Sequence, residues 1–215
     1  MDGSHTADIE RFNRWADTYE SFWGRRFFDR IHQATLDLIA QSEEIRPGTI
    51  LDVGCGTGRL LRAAARLWPG VRLIGVDPAE VMVSVARRLT PDAEFHVANA
   101  ESLPLPDAVV DVALSTISFH HWEDQAGGLR EVARVLRPGG CFGLADVSLP
   151  AWLAKLLQHP GARSTAIIGA FFSQAGLQMR SQQRMLARMV LVTVGRKGSD
   201  PAEVPFAKQA FAADR

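Results

Sequence analysis

The chain has 215 residues, and its 24 lysine and arginine residues balance its 24 aspartate and glutamate residues. That length suits one α/β domain with a proper core, and the neutral balance argues against nucleic acid or an anionic membrane as a partner. No apolar stretch approaches the roughly 18 residues of a membrane helix, and no signal peptide opens the chain. We therefore expect a cytoplasmic protein, a monomer or homodimer, without a membrane span or a nucleic-acid partner.

The two cysteines also bear on the compartment. Cys55 lies in a glycine-rich turn and Cys141 at the start of a predicted strand. We expect both to be free thiols, as in a reducing cytoplasm. Neither belongs to a C-x-x-C pair, so no metal site is predicted.

Apolar strands alternate with amphipathic helices along most of the chain. Two helices are expected within residues 8–40, broken near Gly24. The later elements are predicted as strands near 49–53, 71–76, 93–97, 109–114 and 141–147, helices near 58–67, 79–89 and 124–136, a short amphipathic piece at 151–157, a helix near 164–175, and strands near 177–186 and 188–195. This alternation predicts a doubly wound α/β fold whose mostly parallel sheet is covered on both faces.

These elements predict three segments of one structural domain. Residues 1–48 form an N-terminal helical segment, 49–197 an α/β core and 198–215 a tail. The single-domain expectation follows from the absence of a linker, a repeat or a low-complexity tract between the predicted elements.

The segment from Ile50 to Gly58 carries the strongest functional signal. An apolar strand bears Asp52 near its end and opens into glycine at every second position, followed by a helical pattern. Strand, glycine turn and helix form a nucleotide-type binding site in α/β sheets. A dinucleotide fingerprint would need glycine at position 59, which is Arg59.

The acid followed by G-x-G-x-G resembles the first motif of the class I S-adenosylmethionine-dependent methyltransferases, in particular the ubiquinone/menaquinone-biosynthesis type. Four further segments resemble later motifs of that family in the same order: Val71–Asp77, His96–Asp107, Asp111–Trp122 and Glu131–Gly140. The resemblance spans about residues 10–197. It implies the Rossmann-like methyltransferase fold, a mostly parallel seven-stranded sheet with one antiparallel strand.

The resemblance also implies how the cofactor is held. Asp77 follows the glycine loop by about twenty residues, where a carboxylate accepts both hydroxyls of a ribose. Asn99 stands where the family usually has aspartate, and its amide oxygen can accept the same bond from adenine. Asp52 is expected to hold the glycine loop or the methionine amino group. The expected cofactor-binding residues are Tyr19, Asp52, Gly54, Cys55, Gly56, Thr57, Gly58, Asp77, Pro78, Met82, Asn99, Ala100, Glu101, Ser115 and Thr116.

Aromatic residues crowd the N-terminal segment. Their spacing places Trp15, Tyr19 and Trp23 on one helical face, which is also what plain core packing would produce. In the family this region is a lid over the cofactor, and an aromatic lid predicts a small, largely apolar substrate. The expected substrate contacts are Trp15, Phe22, Trp23, Phe119 and Trp152.

His120 and His121 follow the fourth predicted strand, at the edge where open α/β sheets bind ligands. Adjacent side chains of a strand point to opposite faces, so the pair makes a poor metal site. His120, and after it His121, is a candidate general base. A capping role remains an equal alternative, and Asp146 is a second candidate base.

The predicted function is methyl transfer from S-adenosylmethionine to an O, N or C nucleophile of a small-molecule acceptor, by in-line displacement. The product would be S-adenosylhomocysteine, and no metal is required. The alternatives are a non-catalytic S-adenosylmethionine-binding protein, an NAD-dependent oxidoreductase, or a cyclase built on the same cofactor fold.

Overall fold

A computed structural model describes residues 3–19, 25–42, 45–148, 165–186 and 189–199, without the side chains of residues 3–5, 17–19, 25 and 42. The predicted piece at 151–157 and nearly all of the predicted tail lie outside these ranges.

The described chain alternates helices with strands. The helices are α1 (Gly3–Tyr19), α2 (Arg25–Ser42), α3 (Arg59–Leu67), α4 (Glu80–Leu89), α5 (Gln125–Val135) and α6 (Thr165–Gln174), with a 3-10 turn at Phe119–His121. The strands are β1 (Thr49–Val53), β2 (Arg72–Asp77), β3 (Glu94–Val97), β4 (Val110–Thr116), β5 (Leu136–Val147), β6 (Leu177–Met185) and β7 (Val190–Lys197). None of these helices is long and apolar enough to cross a membrane.

Seven strands form one sheet in the order β3-β2-β1-β4-β5-β7-β6. Neighbours from β3 to β5 pair in parallel, whereas β7 is antiparallel to both β5 and β6. The predicted fold class, with its one antiparallel strand, is therefore confirmed.

The core occupies both faces of the sheet because the central strands are apolar at successive positions. All five residues of β1 are buried. Leu51 and Val53 pack into the cluster that includes α5 and α6, while Ile50 packs on the opposite face with Leu60 and Leu61 of α3. Because β1 pairs in parallel with β2 and with β4, the carboxyl ends of these strands lie together at one edge of the sheet.

Two boundaries differ from the prediction by more than two residues. β5 begins at Leu136 instead of near residue 141, because Val110 pairs with Leu136 before the register jumps to Val112 against Cys141. The Pro-Gly-Gly sequence is thus a bulge inside the strand, with Gly139 at φ +79°. The first helix begins at Gly3, ahead of the predicted residue 8.

Candidate functional site

An open pocket lies at the carboxyl ends of β1, β2 and β4, and the free space in it, including the solvent at its mouth, is about 970 Å³. This is the edge at which parallel α/β sheets bind ligands. Most of the expected cofactor residues line it: Asp52, Gly54, Cys55, Gly56, Thr57, Asp77, Pro78, Met82, Asn99, Ala100, Glu101 and Thr116. Gly58 and Ser115 are not in the lining, and the side chain of Tyr19 lies outside the described residues.

The glycine loop presents its backbone to this pocket. Gly54 has φ +77°, and a Cβ built there would lie 1.8 Å from Oγ of Ser118. Gly56 has φ +51° and open space within 4 Å of the corresponding Cβ position. The two glycines therefore serve different ends: Gly54 admits a neighbouring loop, and Gly56 leaves room beside the pocket.

Asp77 is clamped between the glycine loop and the start of α4. Its Oδ2 accepts the Gly56 N–H at 2.8 Å, and its Oδ1 accepts the Ala79 N–H at 2.9 Å. Burial raises the pKa of Asp77 to about 6, and these two hydrogen bonds partly oppose that rise. Each oxygen keeps a second acceptor site, which suits adjacent ribose hydroxyls.

Asp52 is a buried carboxyl group with an unsatisfied oxygen. It is 2% exposed, and among the described residues its Oδ1 has no hydrogen-bond partner. Burial raises its pKa, and the charge of Asp77 adds to the rise. An unpaired buried polar atom is costly, so the position fits a cationic ligand group such as an ammonium.

The loop after β4 contains a strained residue that sequence reasoning missed. Ile117 lines the pocket with φ +50°, a left-handed conformation that β-branched residues rarely adopt. Its N–H donates to Ala145 O at 2.8 Å, which anchors the turn to β5. The turn sets Ser118 against Gly54, where Oγ of Ser118 accepts the indole N–H of Trp122 at 3.2 Å. Backbone strain of this kind concentrates at functional sites.

His120 faces β5. Its Nδ1 lies 2.6 Å from Oδ1 of Asp146, and its backbone N–H donates to the other oxygen at 2.9 Å. Burial alone would lower the pKa of His120, but the charge and hydrogen bond of Asp146 outweigh it and raise the pKa. His120 is not among the residues that line the pocket.

His121 lines the pocket, and its partner comes from α1. Its Nδ1 lies 2.7 Å from Oδ2 of Asp8, 113 residues away in the chain. The ring centroids of His121 and His120 are 3.9 Å apart. Burial and the neighbouring His120 charge lower the pKa of His121, and Asp8 partly opposes them. The two shifts therefore run in opposite directions: the surroundings favour the charged form of His120, behind the pocket, and the neutral form of His121, which lines it.

Helix α1 forms one wall of the pocket through Asp8, Ile9 and Phe12. The expected substrate contact Trp15 is instead 51% exposed and meets Phe12 edge-to-face at 6.3 Å between ring centroids. The N-terminal helix therefore reaches the pocket with other residues than those predicted from the aromatic spacing.

Of the remaining expected substrate residues, Phe119 is the one that the structure describes. It is 1% exposed, packs in the core against Trp122 and Phe171 and does not line the pocket, so its substrate contact stays a prediction. Phe22, Trp23 and Trp152 lie outside the described residues.

Sequence reasoning also assigned no site role to several pocket residues from α2 and α3: Phe28, His32, Arg59 and Leu60. Of these residues, Arg59 has a sequence feature that could have indicated a ligand-related position. It is a cation in the first turn of a helix, where it opposes the helix dipole.

Residues 51–144 match the family described as a methyltransferase domain. The chain is 31% identical over 202 residues to the 27-O-demethylrifamycin SV methyltransferase of Amycolatopsis mediterranei, covering 80% of this chain and 74% of that protein. The chain belongs to the class I S-adenosylmethionine-dependent methyltransferases. This family implies S-adenosylmethionine as the cofactor.

Two further comparisons place the chain within this methyltransferase family. It is 37% identical over 110 residues to the demethylmenaquinone methyltransferase of Chlorobaculum parvum, covering 51% of this chain but only 45% of that protein. The match thus spans less than half the length of that curated relative. A chain from the complex between the Haloferax volcanii Trm112 methyltransferase activator and a methyltransferase aligns with a TM-score of 0.73 and 26% identity, covering 87% of this chain and 97% of that chain.

The pocket of this family member fits S-adenosylmethionine on its own chemistry. The unsatisfied Asp52 oxygen suits the ammonium of the methionine part, and Asp77 suits the ribose. Met82 is buried beside the pocket as an apolar surface for adenine. Among the described residues, no group of three or more histidine, cysteine, aspartate or glutamate side chains forms a metal cluster.

Proposed function

We propose that this protein transfers a methyl group from S-adenosylmethionine to a nucleophilic atom of a small, largely apolar acceptor, releasing S-adenosylhomocysteine. The observation that carries the proposal is one pocket lined by the glycine loop, by Asp52 and Asp77, and by His121. When bound, S-adenosylmethionine supplies a methyl group already activated on a sulfonium. The protein then has to orient the acceptor, exclude water and manage a proton.

The apolar part of the pocket lining supports an apolar acceptor. Ile9, Phe12, Ile117 and Trp122 line the pocket together with His121, and the ring centroids of Phe12 and His121 are 5.3 Å apart. Such walls exclude water and favour a small acceptor over a highly charged one. The relatives are named for demethylmenaquinone and 27-O-demethylrifamycin SV, which supports a small molecule as acceptor.

His121 is the proposed general base for an acceptor that must lose a proton, in place of the predicted first choice, His120. The Asp146 side chain hydrogen-bonds His120, and the charge of His120 favours a neutral His121, an effect that the charge of Asp146 partly opposes. A neutral imidazole beside the pocket can accept the proton of an acceptor O–H or N–H. His120 is then a structural neighbour that tunes the base.

The first test is isothermal titration calorimetry with S-adenosylmethionine, S-adenosylhomocysteine and NAD. We expect micromolar binding of the first two and none of NAD. A panel of phenols and quinols, including reduced menadione, is then screened for S-adenosylhomocysteine release and a product heavier by one methylene. His121→Asn should lower turnover roughly 100-fold or more, a typical general-base contribution, and leave S-adenosylhomocysteine affinity within about threefold.

Each contrary result has a distinct meaning. Absence of binding by both sulfur compounds would remove the methyltransferase proposal. Tight binding without transfer to any acceptor class would favour a non-catalytic S-adenosylmethionine-binding protein. Undiminished turnover of the His121→Asn variant would leave methyl transfer standing and remove only the base.

A further inference from the structure

The contact between Asp8 and His121 joins two parts of the pocket that are far apart in sequence. Oδ2 of Asp8 lies 2.7 Å from Nδ1 of His121. The other oxygen, Oδ1, is held by Arg11 at 2.8 Å. Both oxygens are therefore engaged in different directions, which orients the carboxylate on α1.

We propose that Asp8 is a positioning residue for His121, so that the seating of α1 on the pocket completes the proton-accepting pair. The inference rests on the proposed methyl transfer with His121 as base. It adds that the N-terminal helix assembles the base in addition to covering the cofactor.

The chemistry follows from the acceptor-only nature of a carboxylate. A neutral histidine that hydrogen-bonds Asp8 through Nδ1 must carry its proton on Nδ1. Nε2 is then the basic nitrogen, and the ring orientation is set by the carboxylate. Loss of an orienting carboxylate leaves such a base in the wrong tautomer, as in the serine-protease triad.

The position of Asp8 depends on how α1 packs. Ala16 is buried against Ala79, at the cap position of α4, and against Met82 and Val85 within that helix. Asn13 Oδ1 accepts the Val81 N–H at 3.0 Å. These contacts do not involve the histidine. They hold α1 in place, and α1 in turn holds Asp8 beside His121.

The charged groups that face His121 come from three elements. Asp8 and Arg11 lie on α1, His120 on the same 3-10 turn and Asp146 on β5. Burial and the charge of His120 lower the pKa of His121, and Asp8 is the first group that opposes them. Removing Asp8 is therefore expected to lower that pKa further.

The test uses the full-length chain labelled with ¹⁵N on its histidine rings. Long-range ¹H–¹⁵N spectra report the tautomer and titration of each histidine, with and without S-adenosylhomocysteine. We expect the Nδ1–H tautomer at His121 in the wild type. Asp8→Ala should shift it toward Nε2–H and lower the pKa of His121 further, because the hydrogen bond and charge that oppose the effect of burial are lost. Asp8→Glu should restore the wild-type signature.

Matched variants separate positioning from loss of the helix. Glu10→Gln changes an exposed acid on the same helix, 3.9 Å from Arg14, and should leave His121 unchanged. Asp8→Asn keeps an acceptor oxygen without the charge, so the tautomer should persist while the pKa falls. If Asp8→Ala leaves both the tautomer and the titration of His121 as in the wild type, the proposal is wrong.

The spectra need no methyl acceptor, so they are independent of the proposed function. Failure of the proposed function would show as absent cofactor binding in calorimetry, or as binding without transfer to any acceptor of the panel, whatever the histidine spectra report. With an acceptor from the panel, Asp8→Ala should lower kcat at least tenfold while KM for S-adenosylmethionine stays within threefold. Equal losses in Glu10→Gln would contradict the assignment.

Discussion

At the scale of single residues, four aspartates at or beside the pocket differ in the groups that each one contacts. Asp77 accepts two backbone N–H groups, Asp52 keeps an unsatisfied oxygen, and Asp146 and Asp8 each hold a histidine. The same side chain thus anchors two imidazoles and, under the proposed function, accepts hydrogen bonds from a ligand hydroxyl and a ligand ammonium. Environment, and not residue type, distinguishes these roles.

Gly56 provides a test of the loop at residue scale. The Cβ position of Gly56 is open beside the pocket. Gly56→Val should therefore abolish cofactor binding, because the valine side chain would fill the space through which the ligand approaches the backbone. The left-handed φ should also cost about 1–2 kcal/mol of unfolding free energy. Gly70→Val is the matched control, since Gly70 has φ +81° and open space at a turn outside the pocket lining.

Both variants should show similar losses in urea denaturation, but only Gly56→Val should lose S-adenosylhomocysteine binding in calorimetry. Equal affinity of the two variants would mean that the ligand does not approach Gly56.

At the scale of elements, α1 and α4 complete each other. Ala79 occupies the cap position of α4 and has no side chain able to accept a hydrogen bond. Asn13 of α1 supplies that acceptor to Val81 N–H from outside the helix. This is the bond that a capping side chain normally makes with the second or third residue of its own helix.

Asn13→Ala should therefore destabilise the start of α4 and the docking of α1 together. A lost cap typically costs about 0.5–2 kcal/mol. Amide hydrogen exchange should show faster exchange at Val81 and along α1, while β1 stays protected. Asn13→Asp retains the acceptor oxygen and should restore protection; unchanged exchange in Asn13→Ala would show that the two helices dock without this bond.

At the scale of the whole molecule, a formally neutral chain buries two acids side by side. Burial is the largest cause of a raised pKa at both acids: the pKa of Asp77 rises to about 6, and that of Asp52 rises as well. Ionisation of these two carboxyl groups therefore lowers the stability of the folded protein when no ligand is bound. A cationic ligand group at Asp52 would offset part of it, which couples cofactor binding to stability.

The pH dependence of stability tests this coupling. Because the folded pKa of Asp77 lies above its unfolded value of 3.8, its favourable contribution is complete below about pH 4 and is lost as pH rises through about 6. The unfolding free energy of the wild type relative to Asp77→Asn should therefore fall between pH 4 and 7, measured by urea denaturation without ligand. Asp92→Asn, at an exposed acid, is the control for the loss of one carboxyl group. A flat difference for Asp77→Asn would mean that its carboxyl titrates normally.

The sequence by itself determined the order of strands and helices and the place of the cofactor loop. β1, the glycine turn and α3 follow from a local pattern of apolar residues and glycines. Asp77 follows from its position at the end of the next apolar strand. These features are readable because the physics that forms them acts between near neighbours in the chain.

The tertiary structure alone decided which histidine reaches the pocket and what holds it. His120 and His121 lie in a 3-10 turn, so strand alternation could not assign their directions. The Asp8 partner is 113 residues away, and the left-handed turn at Ile117 is imposed by its bond to β5. The local sequence around Phe119 does not distinguish it from an aromatic residue of the pocket, yet Phe119 packs in the core against α6. Each outcome depends on packing between distant segments, which a local pattern does not contain.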